Sequence, residues 1–240
     1  MPSRKPRLVY ILPNLFTAAS IFTGILSIVE ASRGEFEPAA WLIFLSLIFD
    51  GLDGRVARIT QTTSRFGMEF DSLADIVAFG TAPALLLYFQ IGKEYGRFGV
   101  LVTALYVIFG AIRLARFNVT NAQNDPSVFI GLPIPTAAVF IASWSLLLQK
   151  QPLPALQTLL LILSLGVALL MVSNIRYPSF KRIDLDRPMM LKTLVLLTLV
   201  ASTLYLFPAE GLGLVILAYI LYGPIRGVRL FLEKRKSVRR

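Results

Sequence analysis

The chain has 240 residues, of which 55% are hydrophobic and 16% charged, and its mean hydropathy of +0.68 is typical of a membrane protein. It contains no cysteine and no histidine, which excludes disulfides, thiolate ligands, cysteine nucleophiles and imidazole bases. A general base must therefore be a carboxylate, a lysine or a tyrosine.

The net charge of +10 is distributed as expected for a membrane topology rather than for a nucleic-acid-binding surface. A helix that spans the bilayer needs about 20 apolar residues, and about eight segments qualify. They lie at about 14–32, 38–57, 70–91, 97–117, 133–149, 153–173, 190–208 and 211–231. If the amino terminus is cytoplasmic, all Lys and Arg residues except Arg33, Lys93, Arg97 and Lys150 fall on the cytoplasmic side, close to anionic headgroups. We therefore predict one all-α, polytopic membrane domain over residues 1–240, with both termini cytoplasmic.

The first predicted span follows a basic start and an apolar lead-in at residues 8–13. Asn14 is placed to cap this helix, and Thr17 is placed to bond back to it. Both side chains would lie near the cytoplasmic surface, where capping explains them at least as well as ligand contact does.

The next two predicted spans carry four aspartates on either side of a polar turn at residues 60–64. Asp50 and Asp53 are three residues apart near the end of the second span, and Asp71 and Asp75 are four apart at the start of the third. Helices joined by so short a turn are antiparallel neighbours, so we expect the two acidic pairs to face each other.

Four facing carboxylates at the edge of a membrane require a cation, and an oxygen-only ligand set favours Mg²⁺ or Mn²⁺. Gly54, Ala57 and Gly67 leave space beside them, and Arg58 is placed to meet a phosphate. These features together favour a pyrophosphate-bearing lipid as substrate. A single acid pair at a helix end is more often a solvated end or a structural ion pair; four acids with glycines in register favour a site.

The fourth predicted span ends in Arg113, Arg116 and Asn118 on the cytoplasmic side. The charge bias of cytoplasmic segments and the helix dipole explain these arginines as well as a substrate role does.

The spacing Asp50-x-x-Asp53-Gly54-x-x-Ala57-Arg58, eight residues, Gly67-x-x-x-Asp71-x-x-x-Asp75 resembles the signature of the CDP-alcohol phosphatidyltransferases at every defined position. The segments around Ser72 to Ala84, Arg113 to Asn118 and Gly131 to Pro135 are similar to the bacterial phosphatidylserine synthase branch. The resemblance implies a six-helix core at about 8–173, usually dimeric, so the helices at about 190–232 would be an extension. It also implies transfer of the phosphatidyl group from CDP-diacylglycerol to L-serine at the inner membrane, with release of CMP.

Carried over by position, the resemblance implies that Asp50, Asp53, Asp71 and Asp75 bind one or two metal ions and that Asp75 is also the base. It implies binding of the cytidine diphosphate group by six further residues: Gly54, Arg58, Ser64, Gly67, Asn14 and Thr17. On this basis Arg113, Arg116 and Asn118 are candidates for holding the serine carboxylate.

Two other functions stay open at this point. The same chemistry could use another acceptor, such as glycerol 3-phosphate, inositol phosphate or choline. A cation transporter would use the four acids as an ion path, although transporters usually place such residues near the bilayer midplane.

Overall fold

The computed structural model describes residues 8–120, 128–151, 153–178 and 208–238, together with Thr198, Ser202 and Leu206. These residues are almost entirely helical, as predicted. The helices are α1 (Leu8–Ser32), α2 (Phe36–Ile59), α3 (Arg65–Asp75), α4 (Ala82–Gln90), α5 (Gly96–Thr120), α6 (Ile134–Lys150), α7 (Pro154–Val172) and α8 (Pro208–Val238). A π-helical segment, Ile76–Thr81, joins α3 to α4, and a 3₁₀ turn, Gly92–Tyr95, precedes α5.

Four helical segments among the described residues are long and apolar enough to cross a membrane: Ile11–Ser32, Arg65–Gln90, Gly92–Thr120 and Pro154–Val172. α6 is apolar but shorter, with 17 residues. α2 is a continuous helix, but charged residues divide its apolar stretch. The chain is therefore a membrane protein. The predicted seventh span at about 190–208 lies almost wholly outside the described residues.

Polar contacts join α1 to α2 along their whole interface. Ser27 Oγ donates to the Ala39 carbonyl at 2.8 Å, and the hydroxyls of Thr23 and Ser46 are 2.7 Å apart. Small hydroxyl side chains allow close helix packing and satisfy one another in an apolar surrounding. This hairpin supplies one wall of the site described below.

The π-helical segment presents three successive residues to three different helices. A Cβ on Gly24 of α1 would lie 2.9 Å from Ala78 Cα, so α1 passes directly against this segment. Tyr106 of α5 donates its hydroxyl to the Phe79 carbonyl at 3.3 Å, and a Cβ on Gly80 would lie 3.6 Å from Ile134 of α6. The segment is therefore fixed from three sides immediately after Asp75.

α6 is the central helix of the bundle, with eleven buried residues, and it packs against α2, α4, α7 and α8. A two-stranded antiparallel sheet, β1 (Val128–Ile130) and β2 (Arg176–Pro178), lies at its amino-terminal side and pairs Phe129 with Tyr177. The prediction of a purely helical chain did not include these strands. Gly131, with φ of +77°, ends β1, and Pro133 immediately precedes α6.

Candidate active site

The four aspartates meet where α2 and α3 face each other across the 60–64 turn. Carboxylate oxygens of Asp50, Asp53 and Asp71 lie within 4.8 Å of one another. The Asp75 carboxyl group lies beside that of Asp50 and completes the group. The structure thus brings together both acid pairs, as the predicted hairpin requires.

Among the described residues, no Lys or Arg forms an ion pair with any of the four aspartates. The two ion pairs found there join Arg33 to Glu30 and Lys150 to Glu210. Asp71 Oδ1 and Asp75 Oδ1 are buried and accept no hydrogen bond. Buried like charges with free acceptor oxygens fit a hard divalent cation, because such ions bind through oxygen atoms alone.

A cavity of about 140 Å³ opens beside the aspartates, between α1, α2 and the start of α3. The cavity is lined by five of the six residues predicted to bind the nucleotide part of a substrate: Asn14, Thr17, Gly54, Ser64 and Gly67. Its other lining residues are Pro13, Asp53, Ala57, Thr62, Thr63, Met68 and Asp71. Sequence reasoning missed Thr62 and Thr63 as lining residues, although their place in the polar turn between the acid pairs was a signal for them.

Thr17 fastens α1 to the acidic group. Its Oγ1 donates to Asp53 Oδ2 at 2.7 Å and also lies 3.2 Å from the Pro13 carbonyl, the predicted bond back to its own helix. The prediction that Asn14 caps α1 is wrong, because the helix begins at Leu8 and continues through Pro13. Asn14 therefore lies within the helix, where its side chain faces the cavity and Gly67.

Two glycines shape the cavity wall in different ways. Ser64 caps α3 by accepting the Gly67 backbone N–H at 3.0 Å, and a Cβ on Gly67 would lie 3.2 Å from the Ser64 hydroxyl. A Cβ on Gly54 would have nothing within 4 Å, so this glycine borders open space. Gly67 allows tight packing of the turn, whereas Gly54 keeps room for a ligand.

Arg58 does not line the cavity. Its side chain is exposed and its Nε donates to the Gly54 carbonyl, one turn earlier, at 3.0 Å. The guanidinium therefore lies at the rim, on the same side of α2 as the open space beside Gly54.

Arg113 is a cation that interacts with the acidic group, and it is buried, with 6% of its surface exposed. It interacts electrostatically with Asp75, its guanidinium lies 5.4 Å from the centre of the Phe117 ring, and its Nε makes no hydrogen bond. A buried guanidinium with a free donor is available to an anionic ligand. Asn118 lies further out, where its amide donates to Ser72 Oγ at 3.0 Å.

The Arg116 guanidinium is hydrogen-bonded to the carboxyl-terminal end of α7. Its Nη1 and Nη2 donate to backbone carbonyls of Ile130, Met171, Val172 and Ser173 at 3.0–3.3 Å, and Nη1 also reaches Asn174 Oδ1 at 3.3 Å. One guanidinium thus caps a helix carboxyl terminus and ties it to β1. The sequence-based prediction of acceptor binding did not foresee this role.

Comparison with known proteins finds similar sequences over most of the chain. The sequence model of the CDP-alcohol phosphatidyltransferase family matches residues 10–172. A CDP-diacylglycerol–serine O-phosphatidyltransferase of Helicobacter pylori is 50% identical over 235 residues, which cover 95% of this chain and 98% of the relative. The enzyme of the same name from Methanocaldococcus jannaschii is 34% identical, over 93% of this chain and 97% of its own length. An archaetidylserine synthase of Methanothermobacter thermautotrophicus is 38% identical over 70% of this chain and 69% of its own.

Proposed function

Since this chain belongs to the CDP-alcohol phosphatidyltransferase family, we propose that it transfers the phosphatidyl group of CDP-diacylglycerol to L-serine, producing phosphatidylserine and CMP. The observation that carries the proposal is the convergence of carboxylates from Asp50, Asp53 and Asp71 within 4.8 Å at the edge of a cavity. Relatives with this named activity match almost the full chain, which supports serine as the acceptor.

We assign the four aspartates to one or two bound Mg²⁺ or Mn²⁺ ions. A bound divalent ion would neutralise charge on the pyrophosphate and on the departing CMP. The free oxygens of Asp71 and Asp75 support this assignment, since both are buried without a hydrogen-bond donor. Thr17 orients Asp53 through its 2.7 Å hydrogen bond.

We assign the cavity to the cytidine diphosphate group of the substrate. The open space beside Gly54 allows a phosphate to approach the α2 backbone, and Arg58 supplies positive charge at the rim. Ser64, Gly67, Asn14 and Thr17 line the remaining wall.

In the reaction, the serine hydroxyl oxygen forms a bond to the phosphatidyl phosphorus while the bond from that phosphorus to the CMP oxygen breaks. Asp75 takes the hydroxyl proton, because it is the acid nearest to Arg113 and has a free oxygen. Arg113 holds the serine carboxylate, with Asn118 further out. Arg116 supports this region by fixing the end of α7.

The engagement of Arg116 favours serine over a phosphorylated acceptor. Glycerol 3-phosphate or inositol phosphate needs more than one cation beside the reacting group. Carbonyls at the end of α7 bind Arg116, which leaves Arg113 as the one such cation near Asp75 in the part of the chain that the structure describes. Choline carries a positive charge, which Arg113 would repel.

The test is CMP release by purified protein with CDP-diacylglycerol and a panel of alcohols. We expect release with serine, none above background with choline, and loss of release in Asp75→Asn without a change in thermal stability. Undiminished release by Asp75→Asn would remove the base assignment. Metal uptake by proteoliposomes without CMP release would favour the cation transporter instead.

We further propose a single domain over residues 1–240, with a core at about 8–173 and an extension at about 190–232, that forms a homodimer in the inner membrane. Both termini and the active site would be cytoplasmic, as the distribution of Lys and Arg indicates.

A further inference from the structure

α8 lies beyond the region that the family model matches, yet it packs against β2. This strand lies near the end of α5 that carries Arg113, the residue assigned to the acceptor. It runs antiparallel to α6. Lys150 at the end of α6 donates to Glu210 at the start of α8 at 2.8 Å, and a Cβ on Gly213 would contact Ser143 and Trp144 of α6. The later part of α8 therefore reaches the side of the bundle that carries β2.

A close backbone approach fixes α8 to β2. Tyr177 of β2 is fully buried and donates its hydroxyl to the Ile220 carbonyl at 3.2 Å. A Cβ on Gly223 would lie 2.4 Å from the Tyr177 ring, closer than atoms can approach. Only a glycine at position 223 allows α8 to lie this close to the strand.

Tyr219 occupies the space between this contact and the site. Its ring lies 5.5 Å from the Tyr177 ring, and its hydroxyl donates to the Pro178 carbonyl at 3.2 Å. It is also close enough to Arg113 to interact with it electrostatically. β2 pairs with β1, and the Ile130 carbonyl of β1 accepts from Arg116 at 3.1 Å, one turn after Arg113 on α5. Direct contacts therefore connect α8 to the part of α5 that carries Arg113, which interacts electrostatically with Asp75.

We propose that α8 completes the acceptor subsite and that Tyr219 is a positioning residue that sets the Arg113 guanidinium for the acceptor carboxylate. This inference rests on the proposed function, because it assumes that Arg113 binds the acceptor. Tyr219 acts through Arg113 and β2, so it affects binding of the acceptor more than binding of CDP-diacylglycerol.

The test measures KM for serine and KM for CDP-diacylglycerol separately, by CMP release, in the full chain. Tyr219→Phe keeps the ring contact with Tyr177 but loses the hydroxyl. The lost hydroxyl is the one that donates to the Pro178 carbonyl. We expect KM for serine to rise about 3- to 10-fold, the effect of that one lost hydrogen bond, while KM for CDP-diacylglycerol stays the same. Tyr219→Leu loses both contacts and should raise KM for serine further. The matched control is Tyr222→Phe, an exposed tyrosine on the same helix, which should leave both constants unchanged.

A glycine pair tests the docking of α8 independently. Gly223→Ala must displace α8 from Tyr177, whereas a Cβ on Gly227 would have nothing within 4 Å. We expect Gly223→Ala to raise KM for serine more than 10-fold and Gly227→Ala to have no effect. Melting temperatures in detergent identify any variant that fails to fold, and the milder Tyr219→Phe then decides the question.

Equal changes in both KM values, or no change in either, for Tyr219→Phe would overturn the proposal. If the wild-type chain uses another alcohol and not serine, the proposed acceptor fails, and KM for that alcohol tests Tyr219 in the same way. If no alcohol yields CMP, both proposals fail.

Discussion

Thr17 and Asp53 are 36 positions apart in the chain, yet Thr17 Oγ1 lies 2.7 Å from Asp53 Oδ2. Both side chains are buried at the α1–α2 interface. This bond is the contact through which the first helix orients a proposed metal ligand.

Replacing Thr17 with valine keeps the shape of the side chain and removes this donor. We expect the Mg²⁺ concentration for half-maximal CMP release to rise about 10-fold, since loss of a partner that orients a ligand weakens metal binding by that order. Thr17→Ser should restore the wild-type value. Thr23→Val is the control, because Thr23 pairs with Ser46 on the same helix face but away from the acids. An equal effect of both valine variants would show that general helix packing is responsible.

Gly54 and Gly51 test whether the cavity binds substrate. A Cβ at either position would meet nothing within 4 Å, but only Gly54 lines the cavity. We expect Gly54→Leu to fill the cavity and lower kcat/KM for CDP-diacylglycerol at least 100-fold, and Gly51→Leu to keep activity near wild type. Both should fold at least as stably as wild type, because leucine favours helix more than glycine by about 0.5–1 kcal/mol. Normal activity of Gly54→Leu would place the nucleotide elsewhere.

Arg116 provides a test of stability rather than of acceptor binding. Removing its guanidinium leaves the last carbonyls of α7 without their donors, so Arg116→Ala should lower the free energy of unfolding by on the order of 3 kcal/mol. Thermal melting in detergent measures this, with Arg97→Ala as the control at an exposed arginine. A variant that melts like wild type but no longer saturates with serine would instead support an acceptor role for Arg116.

Metal dependence follows from the oxygen-only acidic group. A chelator should abolish CMP release, and added Mg²⁺ or Mn²⁺ should restore it. Electron paramagnetic resonance with Mn²⁺ measures binding directly. Asp71→Asn should weaken that binding, whereas Glu69→Gln, an exposed acid two positions away on α3, should not. Turnover that survives complete chelation would refute the metal assignment.

The absence of cysteine makes the membrane topology directly measurable. Ile59→Cys and Val119→Cys introduce thiols at the exposed ends of α2 and α5, on the proposed cytoplasmic side. Ser32→Cys and Lys93→Cys introduce them at the opposite side. In intact cells an impermeant maleimide should label only the second pair. The reverse pattern would invert the proposed topology.

The acid pairs could be predicted from the sequence because their convergence depends only on local spacing and a short turn. Asp50 and Asp71 face each other for that reason. The nearly all-helical character also follows from apolar segments of sufficient length. Both features are encoded within contiguous stretches of chain.

The features that could not be predicted depend on distant parts of the chain. The carbonyls that Arg116 binds belong to residues 14 to 57 positions away, so its sequence neighbours do not indicate a capping role. Asn14 resembles a helix start in sequence because a proline precedes it, but α1 extends to Leu8. The wider turn at Ile76–Thr81 lies in an ordinary apolar run and forms through its contacts with three helices.

The π-helical segment Ile76–Thr81 separates the direction of the Asp75 side chain from the face that α4 presents to the bundle. In a continuous α-helix, the direction of Asp75 would determine which face of every later residue meets the rest of the bundle. The Ala82 N–H reaches back five residues, to Val77, so the segment changes the rotation between α3 and α4. The π-helical segment therefore sets the face that α4 presents to the bundle independently of the steps of about 100° per residue in α3, while the carboxylates of Asp71 and Asp75 keep their direction toward the acidic group.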